Sequence, residues 1–116
     1  MRYSKNHCWV ENTESGVKIG ITDYAVKKIC KNFEIFLCDE DEYIHAGDSI
    51  GEIISCEFFD ILSPVNGTVA RVNEEVLDNP QILIDSNPWL VEMTDVAFVK
   101  PLMSEKEYNI LIDNLK

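Results

Sequence analysis

Apolar and polar residues alternate with a period of two in several short stretches, among them residues 17–21 (VKIGI), 33–37 (FEIFL) and 68–72 (TVARV). Such alternation predicts half-buried strands. The most informative stretch is residues 51–67, GEIISCEFFDILSPVNG. Isoleucines at 50, 53 and 54 run into a polar break at Ser55-Cys56-Glu57, and the apolar run resumes at Phe58, Phe59, Ile61 and Leu62 before Ser63-Pro64 stops it. Two apolar runs joined by a few polar residues predict a hairpin with an exposed tip at 55–57. Asn66-Gly67 predicts a second tight turn, leading into the strand at 68–72. Phe58 and Phe59 are adjacent, so in a strand they point to opposite sides. One then faces the core, while the other, near the tip, serves as a binding anchor or as edge packing.

Residues 3–10 (YSKNHCWV) predict a first strand, followed by a polar turn at 12–16. Thr22-Asp23 supplies an N-cap for a short helix over 24–30, with Lys27, Lys28 and Lys31 towards the C-terminal end that favours cations. Residues 38–43 (CDEDEY) hold four acids in six positions and read as a solvated loop or part of a docking face. His45-Ala46-Gly47-Asp48 fits a turn before a strand over 49–54, and His45 reads as a surface residue rather than a base. Residues 73–79 predict a helical turn ended by Pro80, and residues 81–84 and 89–93 predict short strands. Ser104 with Glu107 forms a capping box for a last helix, 105–115, whose stripe of Tyr108, Leu111, Ile112 and Leu115 packs against the rest.

The length of 116 residues predicts one domain with a modest core. Ten basic against twenty-one acidic residues leave a net charge of −11, which disfavours nucleic acid and anionic membrane as partners. It favours solubility, or docking to basic proteins. The four cysteines at 8, 30, 38 and 56 form no C-x-x-C, and with two histidines there is no zinc pattern. No leader or apolar run of spanning length is read, which predicts a cytoplasmic protein with reduced thiols. No phosphate loop, nucleophile elbow or metal cluster is visible, so the chain reads as non-catalytic. Chemistry is confined to Cys56, whose thiol at a hairpin tip suits an acyl, sulfur or redox carrier. Glu57 and the negative chain work against its ionisation.

Several ordered blocks between residues 3 and 93 resemble the H-protein of the glycine cleavage system, a lipoyl-domain family. They are the Tyr3-Ser4-Lys5 opening with His7 and Trp9, GITDYA at 20–25, AGD at 46–48, DILSPVNG-TVARVN at 60–73, and Asn73 with Asp78-Asn79-Pro80. The resemblance implies a mainly β barrel-sandwich hybrid of the lipoyl/biotinyl-domain type, with a short internal helix and a C-terminal helix. In that family the lipoate-bearing lysine lies four residues before the position of Asp60, where this chain has Cys56. Lipoate attachment is therefore not expected there. The glycine that ends the family's internal helix is also replaced, which leaves Asn32 as a left-handed cap. Phe58 and Phe59 stand where the family has small residues, and the glycine-containing stretch before Trp89 is missing.

The resemblance thus implies a non-lipoylated docking or carrier domain working through Ser55, Cys56, Glu57, Phe58 and Phe59. Its partners would be glycine-cleavage or other lipoate-dependent enzymes. Two alternatives remain: a thiol carrier using Cys56, and an authentic lipoyl carrier modified at another lysine.

Overall fold

The computed structural model describes residues 1–115. In chain order the elements are β1 (Arg2–Tyr3), β2 (Cys8–Asn12), β3 (Gly16–Ile21), α1 (Asp23–Val26), β4 (Glu34–Leu37), β5 (Tyr43–Ile44), β6 (Ser49–Ile54) and β7 (Phe58–Leu62). They continue as β8 (Asn66–Val72), α2 (Glu74–Asp78), α3 (Gln81–Ser86), β9 (Val91–Ala97) and α4 (Glu105–Leu115). The strands form a six-stranded sheet, ordered β1-β2-β3-β9-β8-β5, and a three-stranded sheet, ordered β4-β6-β7. All pairings are antiparallel. The two sheets share one core, because the inward residues of the small sheet (Ile35, Ile53, Ile61) and of the large one (Val17, Ile19, Val69, Met93) belong to a single buried cluster. The result is the expected barrel-sandwich hybrid, with a short internal helix and a C-terminal helix.

The period-two stretches fall where the alternation places them, and β6 spans residues 49–54 as read from sequence. Several readings need correction. The first strand is two strands, because His7 takes a left-handed φ of 68° and turns the chain between β1 and β2. The internal helix stops at Val26 instead of reaching Cys30; the three lysines lie beyond its last turn, and Asn32 is not left-handed. Asn66-Gly67 is not a turn but the start of β8. The reversal lies one step earlier, where the Ser63 hydroxyl donates to the Val65 carbonyl (2.7 Å) as the chain leaves the small sheet for the large one. Gly67 serves close approach instead, since a Cβ there would sit 3.0 Å from the Thr94 carbonyl oxygen.

Residues 81–84 form part of α3 and not a strand. Pro80 opens that helix with φ −56°, an angle its ring favours. Leu83 is fully buried, and left-handed Asn87 ends the helix. The strand expected at 89–93 accordingly begins two residues later, at Val91.

Candidate functional site at the hairpin tip

Strands β6 and β7 pair in register from Ile54 opposite Phe58 to Gly51 opposite Ile61, leaving Ser55-Cys56-Glu57 as the predicted projecting tip. The tip is closed by a bond from the Ser55 N–H to the Glu57 carbonyl (3.2 Å). Phe58 is 62% exposed, whereas Phe59 is half-buried and packs on the core. The two-sided geometry of a strand thus resolves the aromatic pair: Phe59 is packing, and Phe58 stands in solvent.

The tip is not free. Cys56 is joined by a disulfide to Cys30, in the segment that follows α1, with the two Cα atoms 5.8 Å apart. The expectation of four reduced thiols is therefore corrected. Nothing in the sequence pairs two cysteines 26 residues apart; they meet because the chain after the short α1 passes beside the tip. Ser55 reinforces the contact, its hydroxyl accepting from the Cys30 N–H (2.8 Å) and donating to Cys56 Sγ (3.6 Å). The remaining cysteines are of another kind. Burial pushes the Cys8 thiol up to about 12 and, with Glu42 and Asp39 adding to it, the Cys38 thiol up to about 11. Both stay protonated near neutral pH and are poor nucleophiles.

Beside the tip lies a cleft of about 320 Å³ whose walls include His7, Tyr24, Lys28, Ile53, Phe58 and Phe59. Sequence reasoning had not assigned His7, Tyr24 or Lys28 to this place. Their link is tertiary: the His7 and Tyr24 rings lie 4.7 Å apart, and the Lys28 ammonium sits 4.7 Å from the centre of the Tyr24 ring. A latch holds this wall to the C-terminal helix. The Tyr108 hydroxyl is hydrogen-bonded to His7 Nδ1 (2.7 Å) and to Thr22 Oγ1 (2.6 Å), and Tyr108 stacks on Tyr3. Thr22 also caps α1 by accepting from the Ala25 N–H (3.4 Å). The capping box of α4 forms as read, with reciprocal bonds between Ser104 and Glu107. Burial, aided by Lys28, lowers the His7 pKa below its ordinary value, so the ring is neutral at pH 7.

Of the other residues singled out from sequence, His45 is exposed in its turn beside Asp48, its Nδ1 lying 3.8 Å from the Asp48 carboxylate. Among the described residues no cluster of His, Cys, Asp or Glu could hold a metal ion, and no helix is long and apolar enough to cross a membrane. An amide-linked prosthetic group requires an amine. None of Ser55, Cys56 and Glu57 has one, and the Cys56 sulfur is already bonded. The tip therefore does not fit lipoate at the position that the resemblance marks.

Comparison with known proteins agrees with the fold. The sequence matches the family model described as glycine cleavage H-protein over residues 1–114. It is similar to the glycine cleavage system H protein of Listeria monocytogenes serotype 4b, with 36% identity over 118 residues covering 96% of this chain and 94% of that protein. The H protein of Staphylococcus saprophyticus is 33% identical over 118 residues, covering 97% of this chain and 94% of its own. The crystal structure of a glycine cleavage system H protein from Mycobacterium marinum matches with a TM-score of 0.86 at 25% identity, covering 96% of this chain and 94% of that one.

Proposed function

The chain belongs to the glycine cleavage H-protein family, and from that premise we propose that it is a docking or carrier domain that does not bear lipoate on its hairpin tip. In this reading it is a single-domain, cytoplasmic, non-catalytic protein. It acts through contacts with glycine-cleavage or other lipoate-dependent enzymes. The observation that carries the proposal is the tip itself: the family scaffold is kept, yet the residue presented there is Cys56, tied to Cys30. The fold supplies a surface for partners, and fold alone does not supply the missing attachment chemistry. Phe58 is the natural anchor, being an exposed aromatic ring on the rim of an apolar cleft. Carriage of an acyl group or of sulfur on Cys56, the alternative reading, would require the bond to Cys30 to be opened first.

Two measurements test the proposal together. Intact mass and peptide mapping of the protein from its own cells should show no lipoyl group on any lysine. Lipoate on a lysine would instead establish an authentic carrier modified away from the tip. Binding to the purified glycine-cleavage enzymes should be measurable by calorimetry, and Phe58→Ala should weaken it about tenfold or more, the loss expected for an interface anchor. Undetectable binding of the unsubstituted chain to every such enzyme would overturn the docking role.

A further inference from the structure

We propose that Cys30 and Cys56 form a reversible redox couple that accepts two electrons from a dithiol, making the tip an electron-accepting site in its own right. This goes beyond docking and does not depend on it. Four observations converge. The disulfide stands at the projecting tip, where Cys56 is exposed and Cys30 is half-buried, so an incoming thiolate reaches Cys56 Sγ first. Lysines flank Cys30 along the chain, Lys27 and Lys28 before it and Lys31 after it, whereas Cys56 is followed by Glu57. Cationic neighbours stabilise a thiolate, and a sulfur with a stabilised thiolate is the better leaving group. The Cys30 N–H and the Ser55 hydroxyl hold the two segments together without the sulfur bond, so its opening does not by itself release them. Finally, the remaining thiols, Cys8 and Cys38, are held in the protonated form by burial, which keeps them out of exchange.

The reaction balances as follows. One thiolate of the dithiol attacks Cys56 Sγ; the Cys30–Cys56 bond breaks and its electron pair leaves on Cys30 Sγ, which takes up a proton. The dithiol's second thiolate then attacks its own sulfur in the mixed disulfide. This releases Cys56 as the second thiol and the dithiol as a disulfide. Two electrons and two protons pass to the chain. The same chemistry is available from a protein C-x-x-C pair or from a small alkyl dithiol, whose hydrocarbon body the adjoining cleft would accommodate.

The test uses the full oxidised chain, folded, at neutral pH. A thioredoxin-type protein with its resolving cysteine changed to serine should be trapped as a mixed disulfide on Cys56, leaving Cys30 open to alkylation and circular dichroism unchanged. Reduction by an intact thioredoxin-type dithiol and by dihydrolipoamide, at matched thiol concentration, identifies the source. A tenfold advantage for one names it, and comparable rates assign the site to dithiols generally. Failure of both to reduce the folded chain, when both reduce it after unfolding in urea, would make the bond a static staple and overturn the proposal. So would a trapped adduct mapped to Cys8 or Cys38.

Discussion

Replacing both tip cysteines, as Cys30→Ser/Cys56→Ser, removes a cross-link while altering few folded contacts, and so measures what the bond does to the unfolded chain. The bond joins residues 26 apart in sequence. Closing a loop of that size costs the unfolded ensemble about 12 cal/mol/K of entropy, equivalent to about 3.5 kcal/mol at ordinary temperature. With unfolding entropies of about 2.1 cal/mol/K per residue, a chain of 116 residues should lose about 14 °C in Tm. The folded side changes less, because the Cys30 N–H still reaches the Ser55 hydroxyl, and that bond contains no sulfur.

Urea unfolding followed by circular dichroism checks both halves of the reasoning. The oxidised chain should have the higher midpoint, and the serine variant the steeper slope, because its uncross-linked unfolded state exposes more surface. Reduced, unsubstituted protein should behave like the variant. Melting temperatures within about 3 °C, with equal urea slopes, would refute the entropic account. A destabilised variant with an unchanged slope would move the effect to lost contacts in the folded tip.

Tyr108→Phe keeps the stack on Tyr3 but strips the hydroxyl shared by His7 and by Thr22, which is 3% exposed. Leaving those groups short of a partner should cost about 1–3 kcal/mol in urea unfolding, and an unchanged midpoint would show that water replaces the latch. His7 makes stability depend on pH in a defined direction. Its folded pKa lies below its ordinary 6.5, so the unfolded chain takes up the proton first as pH falls. The contribution of the neutral ring is complete above about pH 6.5 and is lost as pH falls from there towards the lower folded pKa. His7→Asn, which tolerates the left-handed backbone, should flatten the urea midpoint between pH 7 and 5 relative to the unsubstituted chain, and parallel curves would contradict the assignment.

Local signals survived translation into structure wherever the information lay within a few residues. The alternation in residues 17–21 marked Val17, Ile19 and Ile21 as buried, and Ser104 with Glu107 marked the start of α4 before any fold was known. The tip at 55–57 was legible for the same reason, since a polar break between two apolar runs has one economical conformation. The resemblance to H-proteins was legible too, because its blocks are ordered along the chain and one of them brackets the tip.

What the chain order could not decide was where separate segments meet. The apolar residues Ile82, Leu83 and Ile84 suit a strand as well as a helix, and Pro80 and Asn87 at its ends, together with the pocket that buries Leu83, settled it as α3. Asn66-Gly67 has the composition of a turn but joins a sheet, because the reversal had already been made by the Ser63 hydroxyl in passing between two sheets. The cysteines show the limit most sharply. Spacing leaves any pairing of the four open, and only the path of the chain after α1 sets Cys30 against Cys56, while Cys8 and Cys38 go elsewhere. Hydrogen bonds and periodicity act over a turn or a strand and can be read from sequence. A bond across 26 residues depends on the whole fold being in place.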